Sequence, residues 1–401
     1  MSVESAKPLD VYTVCFCGTL CTRDEGEESR SGSDKRIYSA DTGYIPVRIH
    51  KEISGGLHAT TPSVTVRGVA QNDWAGQDQS EQLILYGKAN PPDDLVRYAE
   101  RYAHGEDQRS RPESARGQGA VALALHAANL AAASPAPTCN FVGHSRGAME
   151  CIMAAWFLYA YGGSNKIRVN ILAIDPVPGT GEWYGIITQL PPNVDWYVGI
   201  TAWDHLDAGF SGLVPRPTAA MAGNSVPTKL GETWSTLADN CQLTDPLAPN
   251  DGDQPRRYKL FACRGRHATV AGNATSDGQY DPDKVTADAA RVPQLVYRLA
   301  RAYLTLWGTT FAVPSAVGAQ ARRLRQMINL DHGHFDVMGG GPLRDSILPG
   351  RRYVRRVSSI MGRDLRDKYC LEDVAGDPPY RQTYPVTAAR TGAGWVTWNY
   401  L

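Results

Sequence analysis

Cys139-Asn140-Phe141-Val142-Gly143-His144-Ser145-Arg146-Gly147-Ala148-Met149-Glu150 is the stretch that decides how the rest of the chain is read. A short apolar run enters Gly143-x-Ser145-x-Gly147, and an apolar segment with helical spacing follows at once. In a strand-to-helix turn this sharp, the residues two before and two after the serine crowd each other. Glycine at both places removes the Cβ atoms that would collide. The turn lifts the serine hydroxyl above the sheet edge, and the helix start offers N–H groups to an anionic oxygen. In a chain with 39 glycines the five-residue pattern alone is weak. Strand before and helix after separate a nucleophile from a structural turn serine, and Ser145 is the candidate nucleophile.

Working outward, strand-like and helical runs alternate. Apolar, β-branched residues 11–17 end at Gly18-Thr19, and a long polar, irregular segment at 23–94 holds a second strand at 64–69. Residues 119–133 are alanine- and leucine-rich with helical spacing, 140–143 lead to the serine turn, and the helix 146–161 stops at Gly162-Gly163. Strands are expected at 168–175, 196–203 and 258–263, then helices at 284–307 and 316–329. This alternation predicts an α/β fold whose largely parallel sheet is covered by helices on both faces. One domain over 1–401 accommodates it, with insertions around 23–94, 176–193 and 209–253 and a helical C-terminal part at 281–401. The last two insertions leave the carboxyl ends of strands, where α/β proteins place their sites. They carry Trp183, Tyr184, Ile186, Ile187 and Leu190, and Phe210, Leu213, Val214 and Met221. Those side chains either cap a pocket or touch lipid, or the loops simply pack on their own hydrophobes.

Composition narrows the classes. With 41 basic and 41 acidic side chains the net charge is zero, which argues against long polyanions, so nucleic acid is not an expected partner. The clusters Arg322-Arg323-Leu324-Arg325 and Arg351-Arg352-Tyr353-Val354-Arg355-Arg356 read as solvated faces. The N-terminus has no apolar signal-peptide core, and the longest apolar run, 148–161, is short for a bilayer and contains Glu150. The expectation is a cytoplasmic product, or one exported without a cleaved signal. Eight cysteines show no Cys-x-x-Cys pair; Cys15 and Cys17 read as small buried hydrophobes.

A serine hydroxyl needs an imidazole to take its proton and a carboxylate to orient that ring. Two aspartates end later strands: Asp175 in Ile174-Asp175-Pro176-Val177, and Asp204 in Ala202-Trp203-Asp204-His205. Strand position favours Asp204, the later of the two. Either could instead be a loop-capping aspartate. Among histidines, His267 follows a strand directly in Cys263-Arg264-Gly265-Arg266-His267, whereas His334 sits in Asp331-His332-Gly333-His334-Phe335-Asp336, after a helix. Topology favours His267 as base, with His334 the alternative; the run around His334 could also be read as a metal site. His144, inside the turn, and His126, on the alanine-rich helix, read as structural. For the oxyanion, one N–H is expected from Arg146 and another from the Gly18-Thr19-Leu20 loop, with the Thr19 hydroxyl assisting.

Together these motifs resemble the α/β-hydrolase family that includes lipase effectors of the bacterial type VI secretion system. That family carries Phe-x-Asp-Gly-Thr after its first strand, Gly-Phe-Ser-Arg-Gly-Ala at the elbow, Phe-Asp-Thr-Val at the next strand end, and a later Gly-x-His-x-Asp-Val-Gly-Gly-Gly. The matches are Phe16-Cys17-Gly18-Thr19, Gly143-His144-Ser145-Arg146-Gly147-Ala148 and Ile174-Asp175-Pro176-Val177. The histidine motif is split between Gly265-Arg266-His267 and the segment from His334 to Gly341. Cys17 replaces the family's aspartate and Pro176 its threonine.

The resemblance implies Asp175 as the acid, overriding strand position, and a Ser145–His267–Asp175 catalytic triad. It implies a lipase or phospholipase needing no cofactor and no metal, with membrane-surface contact. As an antibacterial effector, such a chain would have an immunity protein and a secretion-apparatus partner. The rival expectations are a small-ester carboxylesterase, thioesterase or acyltransferase on the same elbow, or a non-catalytic binding module.

Overall fold

The computed structural model describes residues 10–24, 43–54, 63–74, 81–103, 117, 119–163, 167–179, 185–202, 212–218, 255–272, 291–312, 318–330, 357–358, 389–390 and 397–400. Strand β1 (Val11–Phe16) is made of β-branched, aromatic and small apolar residues, as a strand buried on both faces requires. Helix α1 (Ile45–Ser54) and β2 (Ser63–Val66) follow, then α2 (Asp93–Glu100) and α3 (Ala120–Ala133). The turn region consists of β3 (Thr138–His144) and α4 (Arg146–Tyr161), and β4 (Arg168–Ile174) and β5 (Val194–Ala202) come next. After β6 (Gly212–Leu213) and β7 (Tyr258–Cys263) lie α5 (Arg291–Leu306), α6 (Gly318–Leu330), β8 (Val357–Ser358), β9 (Ala389–Arg390) and β10 (Thr397–Tyr400).

Eight strands form one sheet in the order β2-β1-β3-β4-β5-β7-β10-β9. Every neighbouring pair is parallel except β10 with β9, and β6 pairs with β8 in a separate ribbon. Side chains alternate between the two faces with the period of two that a strand imposes. Phe141 of β3, Val169 and Ile171 of β4 and Tyr197 of β5 join one core, which includes Leu95, Leu123, Met149 and Trp156 of α2, α3 and α4. Val142, Leu172, Ile174, Val198 and Ile200 join the other, with Ile45, Ile49, Val292, Leu295 and Ile328 of α1, α5 and α6. The sheet is therefore mostly parallel and covered by helices on both faces. Each such large apolar side chain contributes roughly 1.5–3 kcal/mol through burial. Phe16 and Phe141 add an edge-to-face contact at 5.4 Å between adjacent strands.

Several boundaries differ from expectation. The first strand stops at Phe16 and β2 at Val66, because the loops beyond them lace together. Cys17 N–H donates to Val66 O (2.9 Å) and Gly68 N–H to Cys21 O (2.9 Å). The segment at 23–94 is less irregular than its polarity suggests: Ile45, Ile49 and Ile53 recur every fourth residue and bury one stripe of α1. The strands do not end at Cys263, since β10 extends the sheet beside β7. Within the insertion at 176–193, Ile186, Ile187 and Leu190 all face the interior, as do Leu213 and Val214 after it. Trp183, Tyr184, Phe210 and Met221 lie outside the described residues. Among those described, no helix is long and apolar enough to cross a membrane.

Candidate active site

From β1 the chain moves one way to β2 and then back past β1 to β3, so the loops leaving β1 and β3 diverge. A parallel sheet opens its crevice at such a switch point, at the carboxyl ends of the strands. The candidate residues lie at or near the ends of four strands: Thr19 beyond β1, Ser145 after β3, Asp175 after β4 and His267 beyond β7.

Ser145 occupies a backbone conformation that non-glycine residues rarely adopt, φ 58° and ψ −123°. Its N–H donates to Ile174 O (3.0 Å), and its carbonyl accepts from Ala148 N–H (3.1 Å) and Val177 N–H (3.3 Å). Those bonds tie the turn to the end of β4 and the start of α4, and they hold the strained residue in place. The glycines serve as the sequence suggests: a Cβ on Gly143 would lie 2.4 Å from Gly147 O, and one on Gly147 would lie 2.5 Å from Cys17 O.

His267 Nε2 stands 2.8 Å from Ser145 Oγ, and its Nδ1 stands 2.5 Å from Asp175 Oδ2. The other Asp175 oxygen accepts from Ala202 N–H at the end of β5 (2.9 Å). A carboxylate only accepts, so Nδ1 carries the ring proton and Nε2 is left to accept from the serine hydroxyl. Asp175 is fully buried, and Gly265, at φ 119°, helps the loop after β7 turn the imidazole back over the sheet edge. The structure thus brings Ser145, His267 and Asp175 into one hydrogen-bonded chain. Asp204 and His334, with the acidic run around the latter, lie outside the described residues.

The loop after β1 departs from expectation. Gly18 N–H does not face the serine; it donates to Tyr44 Oη (2.6 Å) and cannot serve as an oxyanion donor. Thr19 N–H has no acceptor among the described residues, while the Thr19 hydroxyl accepts from Arg146 Nη1 (3.0 Å). The Arg146 side chain, to which the sequence assigns nothing, is buried and works as a clamp. Its Nε and Nη2 both donate to Pro178 O (3.2 and 3.0 Å), and Gly117 packs so close that a Cβ there would lie 2.6 Å from Nε. One guanidinium thereby joins the loops after β1 and β4 to the start of α4. Fork geometry suits arginine to this task and excludes lysine.

His144 and His126 are both buried. His126 Nδ1 accepts from Ile84 N–H (2.9 Å), a structural role on α3. His144 Nδ1 lies 3.0 Å from Tyr44 Oη and its Nε2 lies 3.1 Å from His267 O, and the two imidazoles are 4.6 Å apart. Burial, and then the neighbouring His267 ring, push its pKa down to about 3. One turn into α4, Glu150 is completely buried, and neither carboxyl oxygen has a hydrogen-bond partner among the described residues. Burial raises its pKa well above the usual carboxylate range, against the pull of Arg146 and Arg67.

Fold and site together define a parallel α/β protein with a Ser–His–Asp hydrogen-bonded chain at the carboxyl edge of its sheet. No family model matches this chain, and no curated protein matches it. A solved structure titled as an uncharacterized protein from Pseudomonas aeruginosa is similar at 13% identity and a TM-score of 0.39, covering 85% of this chain and 51% of that one. The chain thus spans about half the length of that structure, and a likeness this slight carries no argument about function.

Proposed function

We propose that the chain is a serine esterase of the α/β-hydrolase type, acting on carboxylic esters and foremost on those of lipids or phospholipids. The observation that supports it is the pair of contacts on one imidazole, 2.8 Å to Ser145 Oγ and 2.5 Å to Asp175 Oδ2. The chain order serine, aspartate, histidine is that of α/β-hydrolases. The preference for lipid esters, and an antibacterial effector role with an immunity protein, rest on the motif resemblance around Ser145-Arg146-Gly147-Ala148.

In this mechanism Ser145 Oγ attacks the ester carbonyl carbon as its proton passes to His267 Nε2. The carbonyl π pair moves to oxygen, where Arg146 N–H and Thr19 N–H stabilise it. Collapse expels the alkoxide, which takes the proton from Nε2, leaving an acyl-serine. Water then attacks the acyl carbon through the same base, and Ser145 is released with its proton. Asp175 stays ionised throughout and stabilises the imidazolium.

A fluorophosphonate probe, a short-chain ester, a long-chain ester and phospholipid vesicles should be tested on the wild type and Ser145→Ala. Labelling and hydrolysis by the wild type, and neither by the variant, are expected. Undiminished turnover by Ser145→Ala would reject the proposal. Hydrolysis of the short ester alone would move the substrate class to small esters.

A further inference from the structure

Resting on the esterase reading, we infer that Tyr44 and His144 form a buried proton-ordered strut that positions both the oxyanion loop and the catalytic base. The strut has three hydrogen bonds: Gly18 N–H to Tyr44 Oη at 2.6 Å, Tyr44 Oη to His144 Nδ1 at 3.0 Å, and His144 Nε2 to His267 O at 3.1 Å. Its two ends are the backbone of the loop after β1 and the backbone of the base. Its middle is a residue of the elbow itself, immediately before Ser145.

The direction of every proton follows from the ends. A peptide carbonyl only accepts, so His144 Nε2 must carry the ring proton that faces His267 O. A neutral ring then has a bare Nδ1, which only accepts, so the Tyr44 hydroxyl donates to it. The phenol oxygen is left with lone pairs, and Gly18 N–H supplies the donor. No other arrangement of a neutral ring satisfies all three contacts. The strut is sealed from water, with Tyr44 1% and His144 3% exposed, so each bond lost would leave a polar group unpaired in the interior.

Rigidity is what the strut adds. A Cβ on Gly18 would lie 2.9 Å from His144 Nδ1 and 3.2 Å from His144 O, so the loop lies directly on the elbow. Tying Gly18 N–H back to Tyr44 leaves the next N–H, that of Thr19, as the loop's oxyanion donor. Holding His267 through its main chain sets the ring above Ser145 Oγ without touching either ring nitrogen that the chemistry uses. His144 and Tyr44 are thus positioning residues. Removing them should lower kcat while leaving KM nearly unchanged, since a displacement near 1 Å between reacting groups costs about 10²-fold in rate.

The test compares wild type, Tyr44→Phe, His144→Leu and His144→Gln by fluorophosphonate labelling rate, ester kcat and KM, and thermal melting. Selective ¹⁵N NMR of the His144 ring accompanies them. His144→Leu and Tyr44→Phe should label and turn over about 10²-fold more slowly, with KM within a few-fold of wild type. His144→Gln, whose amide still donates to His267 O, should recover most of the loss. A ring protonated at Nδ1, or variants that are labelled at the wild-type rate, would overturn the strut and leave the esterase reading standing. A wild type that neither labels nor hydrolyses any ester would sink both. Should His144→Leu fail to fold, Tyr44→Phe and the NMR tautomer still decide.

Discussion

A Cβ built on Gly143 would stand 2.4 Å from the carbonyl oxygen of Gly147, closer than real Cβ atoms approach anything. Both partners are backbone, in β3 and α4, so neither can swing aside. Gly143→Ala should therefore destabilise the fold by at least about 1–3 kcal/mol, the usual cost of overpacking. Gly163 provides the contrast. A Cβ there would meet nothing within 4 Å, and only its φ of 69° opposes substitution. Gly163→Ala should cost about 1–2 kcal/mol, the left-handed penalty alone. Urea midpoints rank the two; a Gly143→Ala protein as stable as wild type would show that the elbow is not packed as described.

Asp175 accepts from Ala202 N–H on one oxygen and from His267 Nδ1–H on the other. In Asp175→Asn the remaining oxygen should stay with Ala202 N–H, because that partner can only donate. The amide NH₂ then donates to Nδ1, so the neutral ring carries its proton on Nε2, where it faces Ser145 as a donor. The base is lost while the shape is kept. On the esterase reading, kcat should fall about 10³–10⁴-fold, the scale set by serine proteases, with melting temperature little changed. Ester turnover near the wild-type level in this variant would remove Asp175 from the mechanism.

The sheet and the elbow were legible in the sequence because the signals were local. Strand β3, the glycines and α4 follow one another within residues 138–161, and each contributes its own pattern. Strand position in the sequence points to Asp204 rather than Asp175, and only the motif resemblance favours Asp175. What distinguishes Asp175 is its contact with Ala202 N–H across β4 and β5, a pairing that appears only when the sheet is assembled. Tyr44 was missed for the same reason: it lies 100 residues from its partner His144, in a segment whose polarity hid the amphipathic helix after it. From sequence alone Gly18 reads as an oxyanion donor, because a glycine after a strand permits close approach. Which way its N–H points depends on Tyr44.

His126 Nδ1 accepts from Ile84 N–H, and burial, then Arg23 and Arg67, push the imidazole pKa down to about 4. The ring is neutral when folded and takes a proton near pH 6.5 when unfolded, so its contribution is intact above about pH 6.5 and lost as pH falls toward 4. In His126→Asn the amide oxygen can accept the same N–H and does not titrate. Relative to wild type, this variant should gain roughly 1.4 kcal/mol per pH unit between those limits. Urea unfolding at pH 7.5, 6 and 5 measures it. A difference that stays constant with pH would mean that His126 is charged in the folded protein.

Glu150 titrates in the opposite sense. Buried one turn beyond Arg146, it holds its proton in the folded state well above the pH at which an unfolded glutamate releases it. Raising pH above about 4.5 therefore ionises the unfolded chain first and draws the equilibrium toward unfolding. Glu150→Gln keeps the volume and removes the titration, so the variant should match wild type, apart from a fixed offset, at pH 4.5 and below. Its advantage should then grow by roughly 1.4 kcal/mol per pH unit until the folded carboxyl ionises. Melting temperatures at pH 4.5, 6 and 7.5 give the curve directly. If the gap did not widen with pH, Glu150 would already be ionised in the fold, and Arg146 and Arg67 would be compensating it more strongly than burial opposes it.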